Sequence, residues 1–314
     1  MKYHPFYCKC GEFMGIHKPE GDIYTMCCLP CNSFFTVAFR THPGTFHADD
    51  VFSAALLSII FNDGQQLPIH RGVTPVADVE LVFDVGNEYN PQEHKFDHHQ
   101  FPQGGMREGG FRAATEPWAA FGLLWEYFGK KFNPEVHRML DDRLVRFIDA
   151  VDNGVKMGGY SVSSAIYSFN NTEDGWRKAV DFAIQIIRNE LRMIEEEIAG
   201  REIVLDAKRK GRTIILPKFT QWQEPITLRE DYEGLLYVVF PSLRGGWNVQ
   251  QIPPRPFASE GRKPLPEALL NSELLQEVAG EEESDSLFIH RGRFIGGAST
   301  LEGVMRIAEY AEKA

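Results

Sequence analysis

The sequence predicts an α/β protein: a parallel-sheet domain over residues 34–190, a smaller α+β domain over 191–314, and a short Cys-rich segment, 1–33, in front. Three observations carry this. Ser33–Thr41 is rich in β-formers and leads through a polar loop into residues 51–61, which have the length and composition of a buried helix. That is the first half of a βαβ unit. A second buried strand, Leu81-Val82-Phe83, ends at the carboxylate Asp84. After a long amphipathic stretch, 172–197, the composition changes to short strand-like runs separated by turns.

Residues 1–33 hold all five cysteines. Cys8 and Cys10 form a Cys-x-Cys pair, Cys28 and Cys31 a Cys-x-x-Cys pair, with 17 residues between the pairs and Cys27 beside the second. Four thiolates at this spacing suit a structural Zn2+ site, in which His17 could replace one cysteine. So short a segment buries little apolar surface, and a metal would supply its folding energy. Reduced, unliganded thiols are the alternative.

In the strand–loop–helix unit that follows, His42, His47 and Asp49 fall in the loop at the strand's carboxyl end. Open α/β sheets bind ligands there. Asp49 or Asp50 could instead cap the helix. Residues 67–71 read as a weak strand or a loop, and 87–95 as a turn-rich excursion that returns the chain to Asp97-His98-His99. The glycine-rich stretch around Arg107 and Arg112 reads either as a loop that orders over phosphate or as mobile surface. Residues 116–128 predict an aromatic core helix with Pro117 near its first turn. Residues 135–151 predict an amphipathic helix that stops at Asn153-Gly154. Asp152 stands at its last turn, facing the negative end of the dipole, a penalty that a nearby cation would remove. Asp149 is a reserve ligand or a solvated helix residue. Further on, residues 203–206, 213–217, 235–240 and 287–290 read as short strands, 269–275 as a short helix and 300–311 as the closing helix. Glu281-Glu282-Glu283 reads as a solvated loop.

Packing gives no reason to place a carboxylate and two imidazoles side by side, as Asp97-His98-His99 does. Divalent metal ions do, because both groups are good ligands for Mn, Zn or Mg-type sites. The candidates are His42, His47, Asp49, Asp84, Asp97, His98, His99 and Asp152, drawn from strand ends, a loop and a helix end. They are too many for one tetrahedral ion and suit two ions about 3.5–4 Å apart, clamping a displacement at phosphorus. Asp84 is the best bridging ligand, since a strand-end carboxylate is held rigidly. Arg244, His290, Arg291 and Arg293, with backbone amides near Gly296 and Gly297, could hold substrate phosphate.

These pieces, in this order, resemble the MYG1-like family, a branch of the DHH phosphoesterase superfamily. The resemblance rests on Thr41-His42-Pro43-Gly44-Thr45-Phe46-His47-Ala48-Asp49-Asp50, Asp84-Val85-Gly86 with Tyr89, Phe96-Asp97-His98-His99-Gln100 and Asp149-Ala150-Val151-Asp152-Asn153-Gly154. Further on it includes Tyr237-Val238-Val239-Phe240-Pro241, Gly245-Gly246-Trp247-Asn248-Val249-Gln250, and Phe288 through Gly297. It implies a DHH-type parallel-sheet catalytic domain, a smaller C-terminal domain across a cleft, two divalent ions such as Mn2+, and phosphoester hydrolysis. Related members are reported as 3′–5′ exoribonucleases. By the same resemblance His42 and Asp84 would hold one ion, and Asp49, Asp84, His98 and Asp152 the other. His99 would meet the phosphate and assist the leaving group, and Asp97 would orient or activate. Much of the superfamily has Asp where this chain has His47, which would change the charge at the first ion.

The net charge of -11 disfavours holding bulk duplex by the surface, since phosphate neutralisation needs Lys and Arg. It leaves open a strand end gripped in a metal site. The expectation is a metal-dependent hydrolase of RNA or short single-stranded oligonucleotides, with no membrane partner, a cytoplasmic location and a homo-oligomer allowed. The rivals are a small-molecule or cyclic-nucleotide phosphoesterase, and a zinc-stabilised nucleic-acid-binding or scaffold protein without catalysis.

Overall fold

Three short parallel strands set the architecture of the N-terminal unit. The computed structural model describes residues 15–20, 23–28, 33–77, 80–100, 105–108, 115–256 and 258–314, of which 15–20, 23–28, 33–37 and 115 by backbone alone. The chain divides into two units, Met1–Arg192 and Met193–Ala314. Strands β1 (Gly15–Glu20), β2 (Ile23–Cys28) and β3 (Ser33–Thr41) form an antiparallel meander. Helix α1 (Ala48–Phe61) follows, then β4 (His70–Arg71) and β5 (Glu80–Phe83). The excursion expected at 87–95 contains β6 (Tyr89–Asn90) and leads into β7 (Lys95–Phe96), both too short to register as a hydrophobic pattern. The sheet order is β1-β2-β3-β5-β7-β6, with β4 also beside β3. β3, β5 and β7 pair in parallel, through Phe39↔Leu81 and Phe83↔Phe96 among others. Of the residues in the zinc expectation, Cys8, Cys10 and Cys31 lie outside the described residues, and Cys28 is described by its backbone alone.

Helix α1 is apolar on all sides because it is covered on all sides, as a fully buried helix requires. Phe52 packs on Phe121 at 5.5 Å and Phe61 on Phe128 at 5.6 Å between ring centroids. Both partners lie on α2 (Ala120–Phe128), so that helix's aromatics build core. It is shorter than expected. β8 (Met106–Glu108) and β9 (Thr115–Pro117) form a hairpin, and Pro117 ends a strand instead of opening a helix. The helix expected at 135–151 is α3 (Pro134–Leu140), a π turn over Asp141–Val145, and α4 (Arg146–Asp152). A short α5 (Val162–Tyr167) precedes the long α6 (Gly175–Leu205). Residues 203–205, expected in a strand, are the last turn of α6.

In the second unit β10 (Lys208–Lys210), β11 (Thr213–Ile215), α7 (Gln223–Thr227), β12 (Tyr237–Pro241) and β13 (Trp247–Gln251) come first. Then follow α8 (Ser272–Ala279), β14 (Phe288–Ile289), β15 (Ile295–Ala298) and α9 (Leu301–Lys313). The sheet order is β10-β11-β12-β13-β15-β14, parallel only at β11–β12. β12 is apolar throughout because both its faces are covered. Tyr237 and Val239 join the core with Val304 and Ile307 of α9, while Val238 and Phe240 join Trp222, Ile226 and Ile252. Among the described residues no helix is long and apolar enough to cross a membrane.

Candidate metal centre

Parallel pairing sends β3, β5 and β7 out of the sheet at one edge. Each is followed there by a metal-ligand type: His42 after Thr41, Asp84 after Phe83, and Asp97-His98 after Phe96. Helix α1 starts at the same edge with Asp49 and Asp50 in its first turn, and α4 delivers Asp152 at its last residue.

Asp84 is central. It is buried, and its backbone takes φ +53°, a left-handed conformation rare outside glycine. Such strain persists where the surroundings over-determine it, most often at functional sites. His42 Nε2 lies 3.2 Å from Asp84 Oδ2 and 3.0 Å from Asp50 Oδ2. His98 Nε2 lies 3.3 Å from Asp84 Oδ1, 3.3 Å from Asp152 Oδ2 and 3.7 Å from Asp49 Oδ2. Three groups of donor atoms lie mutually within 4.8 Å: His42, Asp50 and Asp84; Asp84, His98 and His99; and His47, Asp49 and Asp152. The first two share Asp84.

The electrostatics explain what such a cluster lacks. Burial pushes Asp49 up to about 6 and Asp50 up to about 7. Burial, then the charges of Asp49 and Asp84, push Asp152 up to about 10. Burial acts against Asp84 too, yet its contacts with His42 and His98 hold it down to about 2. His42 in turn is raised to about 11, first by Asp50 and then by Asp84. Despite these close approaches, Asp49 Oδ1 and Oδ2, Asp50 Oδ2, Asp84 Oδ1 and His98 Nε2 are buried without a hydrogen-bond partner among the described residues. Buried acceptors left unmet are costly. Divalent cations would satisfy these atoms, and a set of imidazole nitrogens and carboxylate oxygens without sulfur fits Mn2+, Zn2+ or Mg2+.

His99 sits at the rim, its side chain 56% exposed, with Nδ1 2.6 Å from Asp97 Oδ1. Asp97 is itself fixed by the backbone N–H groups of Asn87, at 2.6 Å, and His99, at 3.1 Å. The hydrogen bond to Asp97 raises the His99 pKa, and burial counters only part of that.

The structure thus brings His42, His47, Asp49, Asp84, Asp97, His98, His99 and Asp152 to one rim. It adds Asp50, which the sequence offered only as a helix cap. Asp50 does both, because one oxygen accepts the His47 backbone N–H at 2.9 Å while the other faces His42. Arg71 and Asn170 were also missed. Arg71 donates to the Gly44 carbonyl at 2.8 Å and stacks on Trp176 at 4.5 Å. Asn170 accepts from the Phe46 N–H at 3.1 Å and donates to the Phe46 carbonyl at 2.9 Å. Together they hold the loop bearing His42 and His47. Their distance along the chain left no local signal, although an Arg at a strand end near that loop was a clue.

Other expectations are corrected. Arg107 belongs to neither a phosphate loop nor mobile surface: it is buried, stacks on Trp118 at 3.9 Å and pairs with Asp141 and, at 2.7 Å, with Asp149. Asp149 is therefore no solvated residue. It also accepts the Gly122 N–H at 3.0 Å, and a Cβ at Gly122 would meet its carboxylate at 1.9 Å. In the second unit the phosphate-binding candidates do not converge. Arg244 lies before β13, whose first residue Trp247 pairs with Ala298 at the end of β15. His290, Arg291 and Arg293 lie in the turn before β15, whose first residue Ile295 pairs with Gln250. The two groups therefore occupy opposite ends of these strands. Gly296 and Gly297 serve close strand packing: a Cβ would meet the Phe288 carbonyl at 2.9 Å and the Ser286 carbonyl at 2.7 Å, respectively. Glu281 is no idle loop acid, since its carboxylate accepts the N–H groups of Ser299, at 2.7 Å, and Thr300, at 2.9 Å.

The model of a family described as "Uncharacterised protein family (UPF0160)", MYG1_exonuc, matches residues 38–311. The chain is 27% identical to the MYG1 exonuclease of Mus musculus over 329 residues, covering 85% of this chain and 83% of that protein. It is 26% identical to the MYG1 exonuclease of Homo sapiens over 330 residues, covering 85% and 84%. It is 30% identical to the MYG1 protein of Chlamydia pneumoniae over 287 residues, covering 85% and 93%. No solved structure matches the chain significantly. Since the match spans every residue of the metal centre and most of both units, the chain belongs to the MYG1 family, UPF0160.

Proposed function

We propose that the protein is a two-metal phosphodiesterase that removes nucleotides from the 3′ end of RNA or short single-stranded oligonucleotides. One observation carries the reading: Asp84, strained and buried, is shared by two donor groups at the carboxyl edge of a parallel sheet. The name of the mammalian relatives, exonuclease, supports the substrate class. The net charge of -11 supports a strand end over long duplex.

In this reading His42, Asp50 and Asp84 hold one ion, and Asp49, Asp84, His98 and Asp152 the other, with His47 beside Asp49 and Asp152. Mn2+ suits the donor set. When bound, such a pair of ions neutralises charge on the phosphate and activates water. The protein's own share is rigid placement. Asp84 fixes the spacing between the two donor groups. Asp97 holds His99 through Nδ1 and raises its pKa, which favours the imidazolium that would give a proton to the departing oxygen.

The test is turnover of end-labelled RNA, DNA and mononucleotide esters with Mn2+ added, with products resolved by length. The proposal expects one-nucleotide steps from the 3′ end. It also expects Asp84→Asn to reduce turnover to background while the circular dichroism spectrum is kept. Retained turnover in that variant removes the bridging assignment. Cleavage confined to mononucleotide or cyclic esters replaces the exonuclease reading with a small-molecule one.

A further inference from the structure

The metal centre has two open flanks. On the His99 side a cavity of about 400 Å3 is lined by His42, His47, Asn87, Asp97 and His99 together with Val85 and Gly86. On the other side His47 and Asp152 open onto a second cavity of about 400 Å3, walled by Ile148, Val151, Ser163 and Tyr167. Its volume lies within the range of small-ligand pockets, roughly 300–1,000 Å3. The whole cavity lies within the N-terminal unit.

One feature of this wall calls for a ligand. Tyr167 is 57% exposed, an aromatic ring left open beside the apolar floor of Ile148 and Val151. A flat ring would cover it by stacking on the tyrosine. A phosphate joined to that group would reach the ligands His47 and Asp152, which line pocket and metal centre alike.

We infer that this pocket seats one nucleoside of the substrate, its base against Tyr167 over Ile148 and Val151. The inference rests on the phosphodiesterase reading for the identity of the ligand, but not for its test. Base–aromatic stacking is tolerant of sequence, so the pocket selects for a nucleoside and not for a particular base.

The first experiment needs no metal. Saturation-transfer NMR on the full, metal-free chain is run with adenosine and, as control, ribose. Adenosine base protons should receive saturation while ribose does not. Tyr167→Ala should weaken adenosine at least about tenfold, the scale of one lost stack, and Tyr167→Phe should restore it. Val151→Trp, which fills the cavity, should abolish the signal in a variant shown to be folded by circular dichroism. Equal saturation of ribose, or an adenosine signal that survives both Tyr167→Ala and Val151→Trp, overturns the pocket.

The second experiment compares Mn2+-dependent turnover of a dinucleotide and of methyl p-nitrophenyl phosphate, a diester without a nucleoside. Tyr167→Ala should reduce the preference for the dinucleotide at least about tenfold. Equal losses on both diesters overturn the pocket. If the wild-type chain hydrolyses neither diester yet binds adenosine, the hydrolase reading falls and the nucleoside site stands.

Discussion

Asp97 shows how one buried carboxylate sets the chemistry of a rim histidine. Oδ2 accepts the Asn87 N–H, and Oδ1 accepts the His99 N–H and meets His99 Nδ1 as well. In Asp97→Asn the imidazole loses the partner that raises its pKa above the ordinary 6.5. We expect the alkaline limb of the pH–rate profile to move toward lower pH and kcat to fall about 10–100-fold, the usual loss for a supporting group. Turnover measured across pH with Mn2+ checks both; an unshifted limb would separate His99 from proton transfer. Arg107 is the structural counterpart. Replacing it with Met leaves Asp141 and Asp149 facing each other across a buried site. Burial already pushes Asp149 up to about 7, with Arg107 the main restraint. Breaking a buried pair in this way costs about 3–5 kcal/mol, readable by denaturant unfolding. Neither pairing was legible in sequence, because Arg107 meets partners more than thirty residues away across a hairpin and a helix.

At the scale of elements, ligand identity followed from strand endings. A buried strand that stops at a carboxylate, and a strand that stops at a histidine loop, were readable from Leu81–Asp84 and Ser33–Thr41 alone. β6 and β7 were not, since two-residue strands carry no periodicity. The π turn before α4 was equally invisible, although it sits between two carboxylates that reach one guanidinium. Helix α9 offers a check on capping. Thr300 accepts the Gly303 N–H at 2.9 Å, so Thr300→Ala should cost about 1 kcal/mol. Glu281 braces the same end. Burial alone would raise its pKa, but the donors on Thr300 and Ser299 bring it below the ordinary 4.5. A depressed carboxyl stabilises the fold above its unfolded pKa and loses that contribution as pH falls through the folded value. Glu281→Gln should therefore be less stable than wild type near neutral pH, and the gap should close in acid, as the pH falls below the ordinary 4.5. Denaturant unfolding at the two pH values measures it.

For the whole molecule the decisive property is a cluster of buried carboxylates with unmet oxygens. Binding to the native state alone stabilises by about 2.7 kcal/mol when ligand stands at about 100 times Kd. For a unit of nearly 200 residues this raises Tm by roughly 5–10 °C. Adding Mn2+ to metal-stripped protein should produce this rise, EDTA should reverse it, and Asp84→Asn should lose most of it in calorimetry. A flat response in the wild type would leave the buried oxygens without a purpose. The sequence by itself determined the family, the parallel-sheet frame and most of the candidate ligands, because strand ends and short polar motifs are local. Only the tertiary structure decided that Asp50 joins His42, that Arg71 and Asn170 hold the ligand loop, and that Arg107 is a core cation. Such pairings depend on which distant backbones fold to within hydrogen-bonding reach, and no local pattern encodes that distance.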